Sequence, residues 1–131
     1  MSLTDKTKTI LNGFFSRVTL PITVKEIVFY RIALDETYYD KFEPIHDIVR
    51  FDQCSPIYTN MILTYEKKEY EYLVTYIKNK DNELKTDNIK LKSYDYTEGE
   101  DYKNIEIKMI PTINLIAKGL IPQIMNTLKK S

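Results

Sequence analysis

Apolar residues fall at every second position through the middle of this chain and at every third or fourth position near its end. Over residues 57–66, Ile57, Thr59, Met61, Leu63 and Tyr65 share one face. Over residues 69–77, Tyr70, Tyr72, Val74 and Tyr76 oppose Glu69, Glu71, Leu73, Thr75 and Ile77. A period of two is the mark of a half-buried strand. Ile89 and Leu91 signal another strand, a short one fits near residues 83–86, and Ile105, Ile107 and Met109 alternate over residues 102–110. Lys67-Lys68, Asn79–Asn82 and Thr97–Glu100 supply the turns, with Gly99 where a positive φ is needed. Strands joined by turns this short must be antiparallel neighbours, because a parallel pair needs a long crossover. The pattern predicts a meander of five or six strands.

The flanks read differently. Residues 3–13 suggest a frayed end, and Phe14, Ser16, Val18 and Leu20 suggest a first strand over residues 14–20. After Pro21, Thr23 and Glu26 have capping-box spacing, and Val24, Ile27, Val28, Arg31 and Ile32 repeat as on a helix. Asp35 can cap a second short helix carrying Tyr38, Tyr39 and Phe42, which Pro44 ends. Residues 46–51, with Val49 and Phe51, read as a short strand, and Gln53–Pro56 as a turn. From Thr112, the residues Ile113, Ile116, Ala117, Leu120, Ile121, Ile124 and Leu128 form the apolar stripe of a last helix. Pro122 lacks a backbone donor, so a bend is expected near residues 118–122.

Composition narrows the class. With 131 residues the chain is expected to be one domain, spanning residues 1–131. Lys plus Arg and Asp plus Glu are 19 each, so no overall basic charge points to nucleic acid, and none is expected as a partner. The N-terminal residues lack a signal-peptide core and no run has membrane-span length, so the expected location is cytoplasmic. Cys54 is the only cysteine, which excludes an intrachain disulfide and a multi-cysteine metal site.

Strand, two short helices, antiparallel meander and long C-terminal helix: this order resembles the START-like, or SRPBCC, superfamily with its helix-grip fold. The passage from Leu20-Pro21 to Val28-Phe29 is similar to the family's step from first strand into first helix. Ala33-Leu34-Asp35, with Tyr38, Tyr39, Phe42 and Pro44, is similar to the passage that follows it. The resemblance covers residues 14–129. It implies an α+β helix-grip domain: a curved antiparallel sheet of five to seven strands wrapped on a long C-terminal helix, with two short helices after the first strand. It also implies a cavity between sheet and helix for an apolar molecule, and the absence of a catalytic motif makes the expected function the binding of a lipid, quinone or polyketide-like compound without catalysis.

On that reading Met61, Leu63, Tyr72, Val74, Tyr76, Ile107 and Met109 line the sheet side, and Ile116, Leu120 and Ile124 line the helix side. Cofactor and metal are expected to be none, and no catalytic residue is named. His46 is the only histidine, and adjacent Asp47 would face away from it on a strand. Cys54 has Asp52 as its nearest charge, the wrong sign for a thiolate. Glu98–Asp101 lacks the ligand alternation of a calcium loop. Two other readings stay open: a protein-interaction module with a filled core, and a cyclase- or hydrolase-type enzyme on the same scaffold. Peripheral membrane contact through Leu120-Ile121 and the oligomeric state also stay open. An apolar void between sheet and helix favours the ligand binder, and a filled interior the interaction module.

Overall fold

The computed structural model describes residues 1–34 and 40–130. It is an α+β structure: a five-stranded, curved antiparallel sheet with a 28-residue helix at the C-terminus. In chain order the elements are α1 (Leu3–Arg17), β1 (Ile22–Leu34), β2 (Asp40–Pro44), α2 (Ile48–Gln53), β3 (Ile57–Tyr65), β4 (Lys68–Lys78) and β5 (Leu84–Tyr94). The C-terminal helix follows as α3 (Tyr102–Asn114), a π-helical stretch (Leu115–Leu120) and α4 (Ile121–Lys129). The strand order is β2-β1-β3-β4-β5, antiparallel throughout.

The central meander follows directly from its alternation. Ile57, Thr59, Met61 and Leu63 of β3 and Tyr70, Tyr72, Val74 and Tyr76 of β4 are buried on one face. Glu66 and Lys67 both adopt positive φ between these strands, the backbone of a two-residue turn matched to strand twist. Gly99 has φ 86°, as its turn requires. Leu84–Tyr94 is one strand rather than two, with register shifts opposite Glu71/Tyr72 and Thr75/Tyr76.

Four expectations about the flanks are overturned. Residues 3–17 are helical, not a frayed end and a strand. Leu3, Thr7, Leu11 and Phe15 recur every fourth residue and are buried, and Ser2 caps the helix by accepting from the Asp5 N–H. Ile22–Leu34 is a strand, not a helix. A β-bulge between Val24 and Glu26 moves the next inward residue from position 26 to 27, and that extra residue imitates helical spacing. The anticipated pair of short helices after a first strand is therefore absent over residues 22–34, and Phe42 lies on β2; Asp35, Tyr38 and Tyr39 fall outside the described residues. Residues 48–53 are helical because Asp47 caps them, accepting from the Arg50 N–H at 2.8 Å. Residues 102–110 are also helical, capped by Asp101. Ile105, Met109 and Ile113 are buried on one stripe, and Ile107 is 65% exposed.

The helices α1 and α3–α4 cover the face that carries the Tyr70–Tyr76 row. Asn12 of α1 joins helix to sheet: its amide accepts from the Val24 N–H at 2.8 Å and donates to the Val24 carbonyl at 3.1 Å. It thereby satisfies a stretch of β1 that β2 does not reach. On α2, the Lys78 ammonium donates to the carbonyls of Phe51, Asp52 and Cys54, and Asp52 pairs with Lys129 at 2.8 Å. The end of α2 is thus tied to both β4 and α4.

Where a bend was expected, near residues 118–122, the helix carries the π-helical stretch Leu115–Leu120. The Ile121 N–H bonds the Ile116 carbonyl, five residues back, and Pro122 has no N–H to offer. The Ala117 carbonyl is left with no donor from either residue. The Tyr76 hydroxyl supplies one at 2.6 Å, from the middle of β4. Tyr76→Phe keeps the ring and strips the shorter donor from a buried carbonyl, leaving it only the Thr86 hydroxyl at 3.5 Å, so it is expected to cost about 1–3 kcal/mol, read as a shift of the urea midpoint at unchanged m-value.

Candidate functional site

The interior between sheet and C-terminal helix is filled. Met61, Leu63, Val74 and Tyr76 on the sheet and Met109 and Ile116 on the helix are all at 0% exposure. A side chain with no accessible area borders no void wide enough for a water molecule. Tyr72 and Ile124 are also buried, and Leu120 is half-buried. These residues do converge from sheet and helix as the pattern anticipated, and they converge as packing. Ile107 is not among them, because α3 turns it outward to solvent.

Space opens at the edge of this interface instead. A groove of about 450 Å³ runs between β5 and the C-terminal helix. Its floor and strand wall are Tyr72, Thr86, Asp87, Asn88, Ile89 and Leu91; its helix wall is Glu106, Ile110, Ile113, Asn114 and Lys118. That volume lies in the usual range for ligand sites. Of the residues expected to line a cavity, only Tyr72 borders it. The missed signals were Thr86, Ile89 and Leu91, whose spacing is broken by the bulge at Asp87, and the i, i+3 pair Ile110 and Ile113 on a segment read as a strand.

The electrostatics are those of a partly dry wall beside water. Burial pushes the phenols of Tyr72 and Tyr76 well above their ordinary 10.0, and raises Tyr70 as well. At the mouth of the groove Tyr102 donates to the Leu91 carbonyl at 3.0 Å, drawing the first turn of α3 against β5. Nearby, Glu100 pairs with Lys68 and Glu66 pairs with Lys108. The Lys68 ammonium beside Glu100 holds that carboxyl below its ordinary value. The acidic run Glu98–Asp101 therefore serves a turn, an ion pair and a helix cap.

Smaller depressions lie elsewhere on the surface, one of about 290 Å³ over the Glu66–Lys108 and Lys68–Glu100 ion pairs among them. Another, of about 270 Å³ between α1 and α4, includes Leu11, Phe14, Leu120 and Ile124. A further one, about 400 Å³ on the opposite sheet face, includes Tyr30, Phe42, Tyr58 and Leu73. Phe42 meets Tyr30 and Tyr58 edge-on at 6.3 and 5.3 Å. His46 is exposed, Cys54 is buried with a free thiol, and no cluster of metal-ligating side chains forms among the described residues. Among the described residues no helix is long and apolar enough to cross a membrane. No family model matches this chain, and no match is found among curated proteins or solved structures.

Packing and exposure predict a graded series along one helix. Ile116→Ala should cost about 2–5 kcal/mol through lost burial and a cavity. Leu120→Ala should cost roughly 1–2 kcal/mol, and Ile107→Ala should fall within about 0.5 kcal/mol of the parent. Equal losses at all three in chemical denaturation would contradict the placement of this helix. The tyrosines predict an alkaline limit. Folding holds their protons more tightly than the unfolded chain does, so the tyrosines' contribution to stability is level below pH 10.0, where free phenols ionise. It should fall as pH rises beyond that value, with tyrosinate absorbance appearing in the same cooperative step as unfolding.

Proposed function

We propose that the chain is a non-catalytic binding domain of the interaction-module kind, whose partner lies along the groove between β5 and the C-terminal helix. One observation carries this reading: both sides of the sheet–helix interior have zero exposure at Met61, Leu63, Val74, Tyr76, Met109 and Ile116. A domain that engulfs its ligand needs room there, and a domain that reads a partner at its surface does not. The groove supplies apolar wall at Ile89, Leu91, Ile110 and Ile113, and polar groups at its ends in Asp87, Glu106 and Lys118. That mixture of apolar contact and a few orienting polar groups is what a recognition site requires.

A second reading is favoured by the groove's volume. An apolar small molecule, lipid-, quinone- or polyketide-like, fits about 450 Å³ and would lie at the edge of the interface rather than within it. Distant kinship with START-like helix-grip domains belongs to this second reading. It is supported by the long C-terminal helix packed on a curved antiparallel sheet; α1 before the first strand weighs against it. Both readings place the protein in the cytoplasm, supported by the free thiol of Cys54.

The two readings separate in one pair of measurements. A photo-crosslinking side chain at Ile110, 48% exposed on the groove wall, is compared with the same group at Ile107, 65% exposed outside it. The interaction reading expects a discrete protein adduct in cell extract from position 110 alone. Equal labelling from both positions counts against it. A melting-temperature rise with long-chain fatty acids or quinones, lost in Ile110→Glu, transfers the site to the small-molecule reading, since a ligand of the folded state raises the transition.

A further inference from the structure

The strand wall of this groove is also an open edge of the sheet, the other being the short β2. The strand order ends at β5, and no described residue pairs beyond it. Which backbone groups face outward follows from two bonds that bracket the β4–β5 ladder. At one end the Asn79 N–H bonds the Glu83 carbonyl at 3.0 Å; at the other the Asp95 N–H bonds the Glu69 carbonyl at 2.9 Å. Antiparallel pairs alternate between bonded and unbonded residues. Carried between those two ends through the register, the alternation assigns Lys85, Asn88, Lys90 and Ser93 to β4. Thr86, Ile89 and Leu91 are left with their N–H and C=O groups turned to the open edge. The Tyr102 bond to the Leu91 carbonyl agrees with this phase.

Side-chain direction and hydrogen-bond direction share a period of two along a strand. Thr86, Ile89 and Leu91, which offer their backbone to the edge, therefore turn their side chains to the groove face, and Asp87 and Asn88 at the bulge between them also border the groove. Away from the bulge, residues of the opposite phase point to the other sheet face. Among them Lys85 and Lys90 are exposed and have no ion pair among the described residues, whereas Lys92 is held by Glu71 at 3.6 Å. The contrast with β1 is plain: its open stretch at Val24 is closed by the amide of Asn12.

Resting on the groove reading above, we propose that β5 and the C-terminal helix accept an extended peptide segment as an added strand. Its apolar residues enter the groove toward Ile89, Ile110 and Ile113, and its alternate, acidic residues lie beside Lys85 and Lys90. An added strand gains affinity from main-chain bonds and specificity from alternate side chains. The lysines set the sign of the partner, since opposite charges on neighbouring strands attract and like charges repel. They also oppose pairing of two copies of this edge, which would bring lysine against lysine.

The test uses the full chain and a fluorescein-labelled peptide of about ten residues in which valine alternates with glutamate. A valine–lysine peptide and laurate serve as comparators. The glutamate peptide is expected to bind at least about tenfold more tightly than the lysine peptide, and to slow hydrogen exchange at the Ile89 amide by on the order of tenfold or more. Ile89→Pro removes an edge-facing N–H and leaves the β4 ladder intact, so it should abolish binding in a folded protein. Lys85→Glu with Lys90→Glu, both at the surface, should reverse the preference between peptides. Glutamate-peptide binding without added protection at Ile89, or without that reversal, overturns the proposal. Laurate binding with neither peptide bound overturns the added strand and leaves the groove as a small-molecule site. If no probe binds, the added strand is overturned, and the crosslinking comparison at Ile110 decides the groove separately.

Discussion

The carbonyl of Ala117 receives no N–H from Ile121 or Pro122, and the way it is satisfied, by the Tyr76 hydroxyl at 2.6 Å with the Thr86 hydroxyl farther off at 3.5 Å, governs the surrounding geometry. Pro122 cannot offer an N–H, and the N–H of Ile121 reaches past Ala117 to Ile116. A buried carbonyl left bare would cost about 1–3 kcal/mol. Tyr76 resolves this from the middle of β4, so a defect in the helix becomes a fixed point between helix and sheet. Around that point the side chains of β3, β4 and the helix close to zero exposure. The helix cannot rise from the sheet to admit a guest without breaking that bond and exposing the Tyr76 ring.

A closed centre leaves the margin as the place where apolar surface remains accessible. Two features keep the margin from closing. The bulges of β5 at Asp87 and Lys92 add residues that a flush strand would not have, and bulges bend a strand. Tyr102 draws α3 toward Leu91 at one end, whereas Ile110 stays 48% exposed beside the groove. The outer sheet face offers another apolar surface around Tyr30, Phe42 and Tyr58. There β1 at Tyr30 and β3 are paired on both sides, and the edge beside it is only the five-residue β2 that carries Phe42.

Where alternation was uninterrupted, the sequence was a sound guide. β3 and β4 bury the faces their period predicts, the hairpin turns fall where Lys67 and Asn79–Asn82 signal them, and the last apolar stripe is a helix. The errors share a physical cause, which is that two periods coincide over short spans. One bulged residue in β1 makes Val24, Ile27, Val28 and Arg31 look helical. On α3 the exposed Ile107 sits midway between buried Ile105 and Met109, so a helix imitates strand alternation. On α1 the buried stripe includes Thr7, whose hydroxyl is satisfied by the Leu3 carbonyl at 2.8 Å, and a polar residue within the stripe conceals it. The site was less legible than the fold. Tyr72 could be placed on the inward face from its strand alone, but the groove depends on the strand–helix margin, and that margin depends on a bulge and a helix that periodicity misassigned.

Interior residues are poor candidates for a ligand site here despite their hydrophobicity. Met61, Leu63, Val74, Met109 and Ile116 already gain from burial against one another. A guest inserted among them would have to replace those contacts before adding its own. Ile89 and Ile110 stand at the margin with part of their surface wet, so covering them removes apolar area from water without first dismantling the core. Next to them, the edge-facing peptide groups of β5 other than the Leu91 carbonyl, which Tyr102 holds, must otherwise bond to water. An occupant that supplies apolar side chains and backbone donors and acceptors together satisfies both surfaces at once. A purely apolar molecule satisfies only one of them. That difference is what distinguishes an extended peptide from a lipid at this groove.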